Sequence, residues 1–354
     1  MKIGIDARLI NETGVGRYIR NLIRELSKLD THNSYVVFLR KNSYSEFETP
    51  NSRWEKRLAD VPWHSVAEQL RMPGIFSRER LDILHVPYFN VPLFYFGKFV
   101  VTIHDLTILH FDTGRASTRA FLFYKIRRLG YSIILGAAMT RSQKIIAVSN
   151  STKKEILNHF DVLPDDICVT HEGPDETAVV GKRLIPHPYF LYVGNAYPHK
   201  NVELLIRAFS RVPDETIVLV GKDDFFYKRL MKDGVPGNIK FFGPATPRQL
   251  ANLYTNAKAL VFPSLMEGFG LPALEALAYG CPVIASDIPV FRELFGNFPT
   301  YFDPHDEEAL VQCLRQPPLR TNSFLAKAAA LVKKYSWKTL ARKTLNVYED
   351  CNRL

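Results

Sequence analysis

Met266-Glu267-Gly268-Phe269-Gly270-Leu271-Pro272-Ala273-Leu274-Glu275 joins a short apolar run, Ala259–Phe262, to a stretch with helical spacing. Pro272 suits the first position of a helix and Gly280 the position just past its end, which predicts a helix over Pro272–Tyr279. The amides of Gly270, Leu271 and Ala273 would point out from its start. Free amides and the positive end of the helix dipole make an anion site at the C-terminal edge of a parallel sheet. Glu267 stands in the loop and Glu275 one turn inside the helix. Two carboxylates beside a phosphate site cannot bind the phosphate, so their natural partners are hydroxyls of a sugar and a ribose. An ordinary loop whose glutamate favours a helix start would explain either carboxylate alone. It does not explain the pair together with two glycines and the proline.

Outward from this stretch the chain alternates strand and helix. In the second half, strands are expected at Tyr189–Gly194, Thr216–Val220, Ile239–Phe242 and Val283–Ala285, with helices at Val202–Ser210 and Pro247–Asn256. In the first half, strands are expected at Lys2–Arg8, Tyr35–Leu39, Phe99–Ile103 and Lys144–Val148. A helix is expected at Tyr18–Leu29, and Thr152-Lys153-Lys154-Glu155 reads as a capping box opening another to about Phe160. Such alternation predicts parallel sheets built from βαβ units. Glu172–Pro188 carries Gly173, Pro174, Gly181, Pro186 and Pro188 without periodicity and reads as a linker. The expected architecture is α/β: two doubly wound, Rossmann-like domains facing a cleft. The first spans 1–175 with a C-terminal helix at about 337–354, and the second spans 186–336.

Further candidate groups fall at the ends of other strands. In Gly194-Asn195-Ala196-Tyr197-Pro198-His199-Lys200-Asn201, Lys200 stands at a helix start, where the dipole disfavours a cation. A phosphate between the lysine and the helix end would justify it; a solvated surface lysine is the plain alternative. Gly14-Val15-Gly16-Arg17 reads as a turn in which glycines let a ligand approach backbone amides. Ile19 occupies the place of the third glycine of a dinucleotide fingerprint, which weakens a nicotinamide reading. His104-Asp105 follows the strand Phe99–Ile103, where His104 could bond a ligand or handle a proton. His85 carries the same ambiguity with less support.

Composition narrows the classes. The 354 residues are 46% hydrophobic and 23% charged, ordinary for globular domains. The four cysteines are widely spaced, which excludes a disulfide framework and a Cys-cluster zinc site and fits a reducing compartment. The N-terminus reads as a strand rather than a signal peptide, and no apolar run reaches the ~18 residues of a membrane span. No D-x-D or H-E-x-x-H occurs, so no metal is expected, and phosphate charge would fall to Lys200 and helix ends. The net charge of +10 suits anionic partners. Between Asp112 and Glu155 there are nine Lys or Arg and no acid. This basic region, 115–154, could meet a lipid-linked acceptor at a membrane surface, or be the solvated side of a helix. No nucleic-acid motif accompanies the charge, so no nucleic-acid partner is expected.

These residues together carry a resemblance. Glu267 to Glu275 closely resembles the E-x7-E motif of retaining GT-B glycosyltransferases of family 4. Gly14–Gly16, Thr102-Ile103-His104-Asp105, Val148-Ser149, Gly173 with Asp175, and Pro198-His199-Lys200-Asn201 match family positions in order, as does Ser336-Trp337 before a final helix. The resemblance spans nearly the whole chain, and the ordered set is far more specific than E-x7-E alone. It implies a GT-B fold whose C-terminal helix crosses back to the first domain. It also implies a nucleotide-diphosphate sugar as donor, GDP-mannose above others, with no further cofactor and a glycan or lipid-linked acceptor in polysaccharide assembly. UDP- or ADP-linked hexoses remain open as donors.

Carried over residue by residue, Glu267 would bind donor-sugar hydroxyls and Glu275 the ribose. The amides of Phe269, Gly270 and Leu271 would hold sugar and phosphate. Lys200 would neutralise the departing diphosphate, and His104 would contact the donor sugar. Gly14 and Gly16 would approach donor phosphate and acceptor. Many relatives have Arg where Asn195 stands, so a second phosphate cation is missing, and Lys222 is the candidate replacement. The resemblance implies a cytoplasmic enzyme, with peripheral membrane contact open. Two other readings share the fold: a UDP-sugar 2-epimerase and a non-catalytic carbohydrate-binding subunit.

Overall fold

The computed structural model describes residues 1–111, 118–232 and 234–353. The chain divides into two compact units. One takes Met1–Leu109, the described residues from 118 to Glu172, and the chain from Ser336 onward; the other takes His110, Phe111 and Gly173–Tyr335.

Among the described residues the first unit holds a seven-stranded sheet in the order β3-β2-β1-β4-β5-β6-β7. Its strands are β1 (Lys2–Asp6), β2 (Ser34–Leu39), β3 (Trp54–Leu58), β4 (Ile83–Val86), β5 (Phe99–Ile103), β6 (Lys144–Ala147) and β7 (Ile167–Val169). Every pairing is parallel. Ile83–Val86 and Phe99–Ile103 are buried throughout, because helices cover both faces of such a sheet and leave no polar alternation. The order reverses between β1 and β4, which makes that junction the switch point where ligands of open α/β sheets bind.

The second unit repeats the plan with six strands in the order β10-β9-β8-β11-β12-β13. These are β8 (Phe190–Val193), β9 (Ile217–Val220), β10 (Ile239–Gly243), β11 (Leu260–Phe262), β12 (Val283–Ser286) and β13 (Thr300–Phe302). All are parallel, and the switch point lies between β8 and β11. Phe190, Leu205, Phe209, Leu219, Val261 and Leu310 share its core.

The closing helix, Trp337–Arg353, packs within the first unit against the helix Gly14–Leu29. Trp337, Leu340, Tyr348 and Cys351 form its buried stripe. Tyr348 also bonds His85 at 2.6 Å, and the other ring nitrogen of His85 meets Thr102 at 2.8 Å. His85 is therefore a buried tie between sheet and closing helix. Burial, with a smaller push from His104, lowers its pKa to about 3 and holds it neutral.

Several element ends differ from expectation. The helix expected from Tyr18 begins at Gly14, with Arg17 N–H bonding Thr13 O at 3.1 Å. Gly14 to Gly16 is thus its first turn rather than a preceding loop. The helix of residues 150–159 is capped by Ser149, whose hydroxyl accepts from Thr152 N–H, so Thr152 is not the cap. Strand β1 stops at Asp6 because Arg8 folds back onto that carboxylate.

Candidate functional site

In the second unit, the loops leaving β8 and β11 meet at the switch point. After β8 the chain makes a 3-10 turn, Pro198–Lys200, and then Asn201 takes a left-handed conformation at φ 55°. Asparagine tolerates that region better than most residues. Its side-chain amide fixes the turn by donating to Pro263 O at 3.2 Å and Pro304 O at 2.9 Å. The helix starts only at Val202. Lys200 therefore lies outside it, which removes the expected conflict with the helix dipole. From the β11 side, Leu265 N–H bonds His199 O at 2.7 Å, locking the two loops together.

This framework brings Lys200 and Glu267 into contact. Lys200 Nζ donates to Glu267 Oε1 at 2.6 Å, and Ser264 Oγ donates to the same oxygen at 2.7 Å. The two charged side chains are 17% and 10% exposed. Their juxtaposition places one cation and one hydroxyl-accepting carboxylate side by side at the carboxyl edge of the sheet.

The turn that opens the next helix is as expected in outline. Gly270 has φ +97° and caps the helix Leu271–Ala278, and a Cβ there would lie 2.7 Å from the Phe291 ring. Gly280, at φ +65°, ends the helix. One expectation fails: Ala273 N–H is not free, since it bonds Gly270 O at 3.0 Å within the turn. Among the described residues no acceptor meets the amides of Gly270 and Leu271. Phe269 is nearly buried, with its ring edge-on to Tyr335. Glu275 is 7% exposed and accepts from Tyr254 OH at 3.0 Å, a tie to the helix Pro247–Asn256.

Asn195 and Lys222 stay outside this cluster. Asn195 turns its side-chain oxygen back onto Tyr197 N–H, an Asx-type closure of its own loop. Lys222 is exposed in the loop after β9, and among the described residues its ammonium makes no ion pair. Lys200 is thus the cation built into the switch point of this unit.

In the first unit His104 follows β5, and both of its ring nitrogens face acceptors. Nδ1 lies 3.2 Å from Glu172 Oε1 and Nε2 lies 3.2 Å from Pro87 O, while Tyr18 stands edge-on at 5.0 Å. The imidazole is held by its own unit on three sides. Gly16 has a local reason to lack a side chain, since a Cβ would meet Ile10 O at 2.5 Å. Gly14 is exposed with open space around it.

Ser264, Tyr254 and Glu172 escaped the sequence reading, and Asn201 entered it only as the last residue of the Pro198–Asn201 match, without its turn-fixing amide. Serine and tyrosine in loops and helices are too common to signal a site. Glu172 did precede the linker glycine, yet nothing in one sequence pairs it with His104. In the basic region, residues 115–117 lie outside the described residues, as do the side chains of 118–128. Of the rest, Arg141 donates to Leu93 O and Tyr95 O, Lys144 to Asp165 O and Asp166, and Lys153 to Pro164 O and Ile167 O. Those three bases are engaged within their own unit. Among the described residues no helix is long and apolar enough to cross a membrane.

Residues 13–177 match the family described as Glycosyltransferase Family 4, and residues 181–316 match Glycosyl transferases group 1. The O-antigen chain mannosyltransferase RfbU of Salmonella typhimurium is 25% identical over 336 residues, covering 89% of this chain and 92% of its own. The O-antigen chain mannosyltransferase B of Escherichia coli is 28% identical, covering 95% and 96%. The fold is similar to that of the sucrose-phosphate synthase of Thermosynechococcus elongatus, with a TM-score of 0.80 at 18% identity over 99% of this chain and 98% of that one.

Proposed function

The chain belongs to the group 1, family 4 glycosyltransferases of GT-B fold, and we propose that it transfers mannose from GDP-mannose to a hydroxyl of a glycan or lipid-linked glycan with retention of configuration. The observation that carries this reading is the Lys200–Glu267 contact at the β8/β11 switch point. Transfer from a nucleotide-diphosphate sugar needs a cation for the leaving diphosphate and an acceptor of sugar hydroxyl bonds next to it. The mannose assignment rests on the two mannosyltransferase relatives, which match over most of their length.

In the proposed reaction the anomeric C–O bond to the diphosphate breaks and a bond from the acceptor oxygen forms on the same face. The acceptor proton passes to the departing phosphate oxygen, so no enzyme carboxylate is consumed as nucleophile. Lys200 exchanges Glu267 for the phosphate as charge grows there, which lowers the barrier selectively in the transition state. Glu267, released from the ammonium but still held by Ser264, accepts from the sugar hydroxyls. Glu275 beside Tyr254 accepts from the ribose, and the amides of Gly270 and Leu271 face the phosphates. The charge is met without a metal. Contact with an anionic membrane surface through the 115–154 region belongs to the same proposal.

The test is a donor panel of GDP-mannose, UDP-glucose and ADP-glucose, scored by thermal shift and by transfer to mannose-terminated oligosaccharides. GDP-mannose should raise the melting temperature most, and NMR of the product should show the donor's anomeric configuration. Isomerisation of a UDP-sugar without transfer, or an inverted product, would overturn it.

A further inference from the structure

Tyr254 reaches from the last turn of the helix Pro247–Asn256 to the neighbouring helix Leu271–Ala278, where its hydroxyl donates to Glu275 Oε2 at 3.0 Å. Glu275 is 7% exposed and Tyr254 is fully buried. A carboxylate is a costly group to bury. A helix position with only a packing role would carry an apolar side chain there, so the carboxylate at 275 points to a ligand it serves.

The hydroxyl that meets it is held still from several sides. The Tyr254 ring stacks on Tyr279, with centroids 5.9 Å apart and 12° between planes. Tyr279 is itself pinned, since Ala178 N–H donates to its hydroxyl at 2.8 Å and Arg320 Nη2 to its carbonyl at 2.5 Å. The helix carrying Tyr254 opens in a capping box of Thr246 and Gln249. It is also belted to the segment before β8. Asn252 Nδ2 donates to Gly181 O at 3.0 Å and Lys182 O at 2.8 Å, and Leu184 N–H donates to Asn252 Oδ1 at 3.0 Å.

A fixed donor fixes the carboxylate it bonds. A glutamate left to its own rotamers loses freedom on meeting a ligand, and it can turn to water when the ligand lacks a hydroxyl. One held by Tyr254 does neither. It has lone pairs left for a vicinal diol, since a carboxylate accepts about four hydrogen bonds. A ligand without one of those hydroxyls leaves a buried acceptor unmatched, which is how a site discriminates strongly.

We infer that Tyr254 is a positioning residue: its hydroxyl holds Glu275 in the rotamer that accepts from the ribose diol, and so sets the preference for a ribonucleotide over a 2′-deoxyribonucleotide. The inference rests on the donor reading for the ribose, and on the Tyr254–Glu275 geometry for the role.

Isothermal titration of the full chain with GDP, UDP and their 2′-deoxy forms tests it. The wild type should bind the tighter ribonucleotide roughly ten- to a hundredfold better than its 2′-deoxy form, the worth of a hydrogen bond to a charged group. Tyr254→Phe keeps the ring and should shrink that ratio roughly two- to tenfold, by weakening the ribonucleotide. In Glu275→Gln the ratio should fall toward one, and adding Tyr254→Phe should change it no further. Tyr279→Phe removes the bond to Ala178 but keeps the Tyr254 hydroxyl, and should leave the ratio as in wild type. Equal loss of both forms in Tyr254→Phe, or no loss of either, overturns the inference, because a merely structural hydroxyl moves both together. A ratio that Tyr279→Phe shrinks as much as Tyr254→Phe also overturns it. A wild type that binds ribo- and deoxyribonucleotide equally overturns it and leaves the donor reading standing. A chain that binds neither GDP nor UDP refutes the donor reading, and the inference with it.

Discussion

Replacing Lys200 by alanine separates the two things its ammonium does. In the unliganded chain it is one of two donors to Glu267 Oε1, the other being Ser264. The carboxylate is 10% exposed, so water replaces the lost bond poorly. A hydrogen bond to a charged group contributes about 1.5–3 kcal/mol. For a unit of this size, 1 kcal/mol moves the melting temperature by about 2–4 °C. Lys200→Ala should therefore lower the melting temperature by roughly 3–12 °C. In the reaction the same ammonium faces the leaving diphosphate, and loss of that contact should slow single-turnover transfer roughly ten- to a hundredfold. The Lys200→Ala/Glu267→Gln pair distinguishes the roles: a neutral amide has no need of a cation, so stability should partly return while transfer does not. Lys222→Ala, at an exposed side chain, should leave both nearly unchanged. If Lys222→Ala slows transfer more than Lys200→Ala, the diphosphate lies elsewhere and the placement is wrong.

Three further outcomes are expected. Transfer should survive EDTA, since no D-x-D motif stands near the switch point; activity lost on chelation and restored by magnesium or manganese would refute this. Gly270→Ala should destabilise the second unit by about 2–4 kcal/mol, from a left-handed backbone plus overlap with Phe291, and a melting curve matching wild type would contradict it. Burial pushes the Asp30 carboxyl up, but bonds from Tyr35, His32 and Asn33 outweigh that and hold it below its usual value. Its stabilisation is thus present above the ordinary carboxylate range and lost as pH falls through its folded pKa. Asp30→Asn should flatten acid unfolding of the first unit, and an unaltered acid limb would show that Asp30 does not drive it.

Local chemistry was legible in the sequence wherever one residue type decides a backbone state. Gly270, Pro272 and Gly280 bounded a helix, and apolar runs such as Phe99–Ile103 could only be buried strands. Lys200 was legible as an oddity, but its partner was not, because 67 residues separate it from Glu267. His85 illustrates the same barrier: its partner Tyr348 is 263 residues away, so a buried tie looked like a candidate site residue. Gly16 misled in another way. A glycine that makes room for the chain's own carbonyl and one that makes room for a ligand leave the same letter.

The closing helix has a consequence for biosynthesis. The strands of the first unit are all translated before residue 173, yet the side chains that cover the helix Gly14–Leu29 are encoded after residue 336. While the ribosome is still reading the second unit, Tyr18 lacks the cover of Trp337 and His85 lacks the tyrosine hydroxyl that satisfies it. The second unit, whose strands are contiguous in the chain, can fold in that interval. The first unit must wait with all its strands made but the helix Gly14–Leu29 uncovered and apolar surface exposed. Its completion is a late docking event, and the growing chain is most open to chaperones, proteases and aggregation before the helix Trp337–Arg353 emerges.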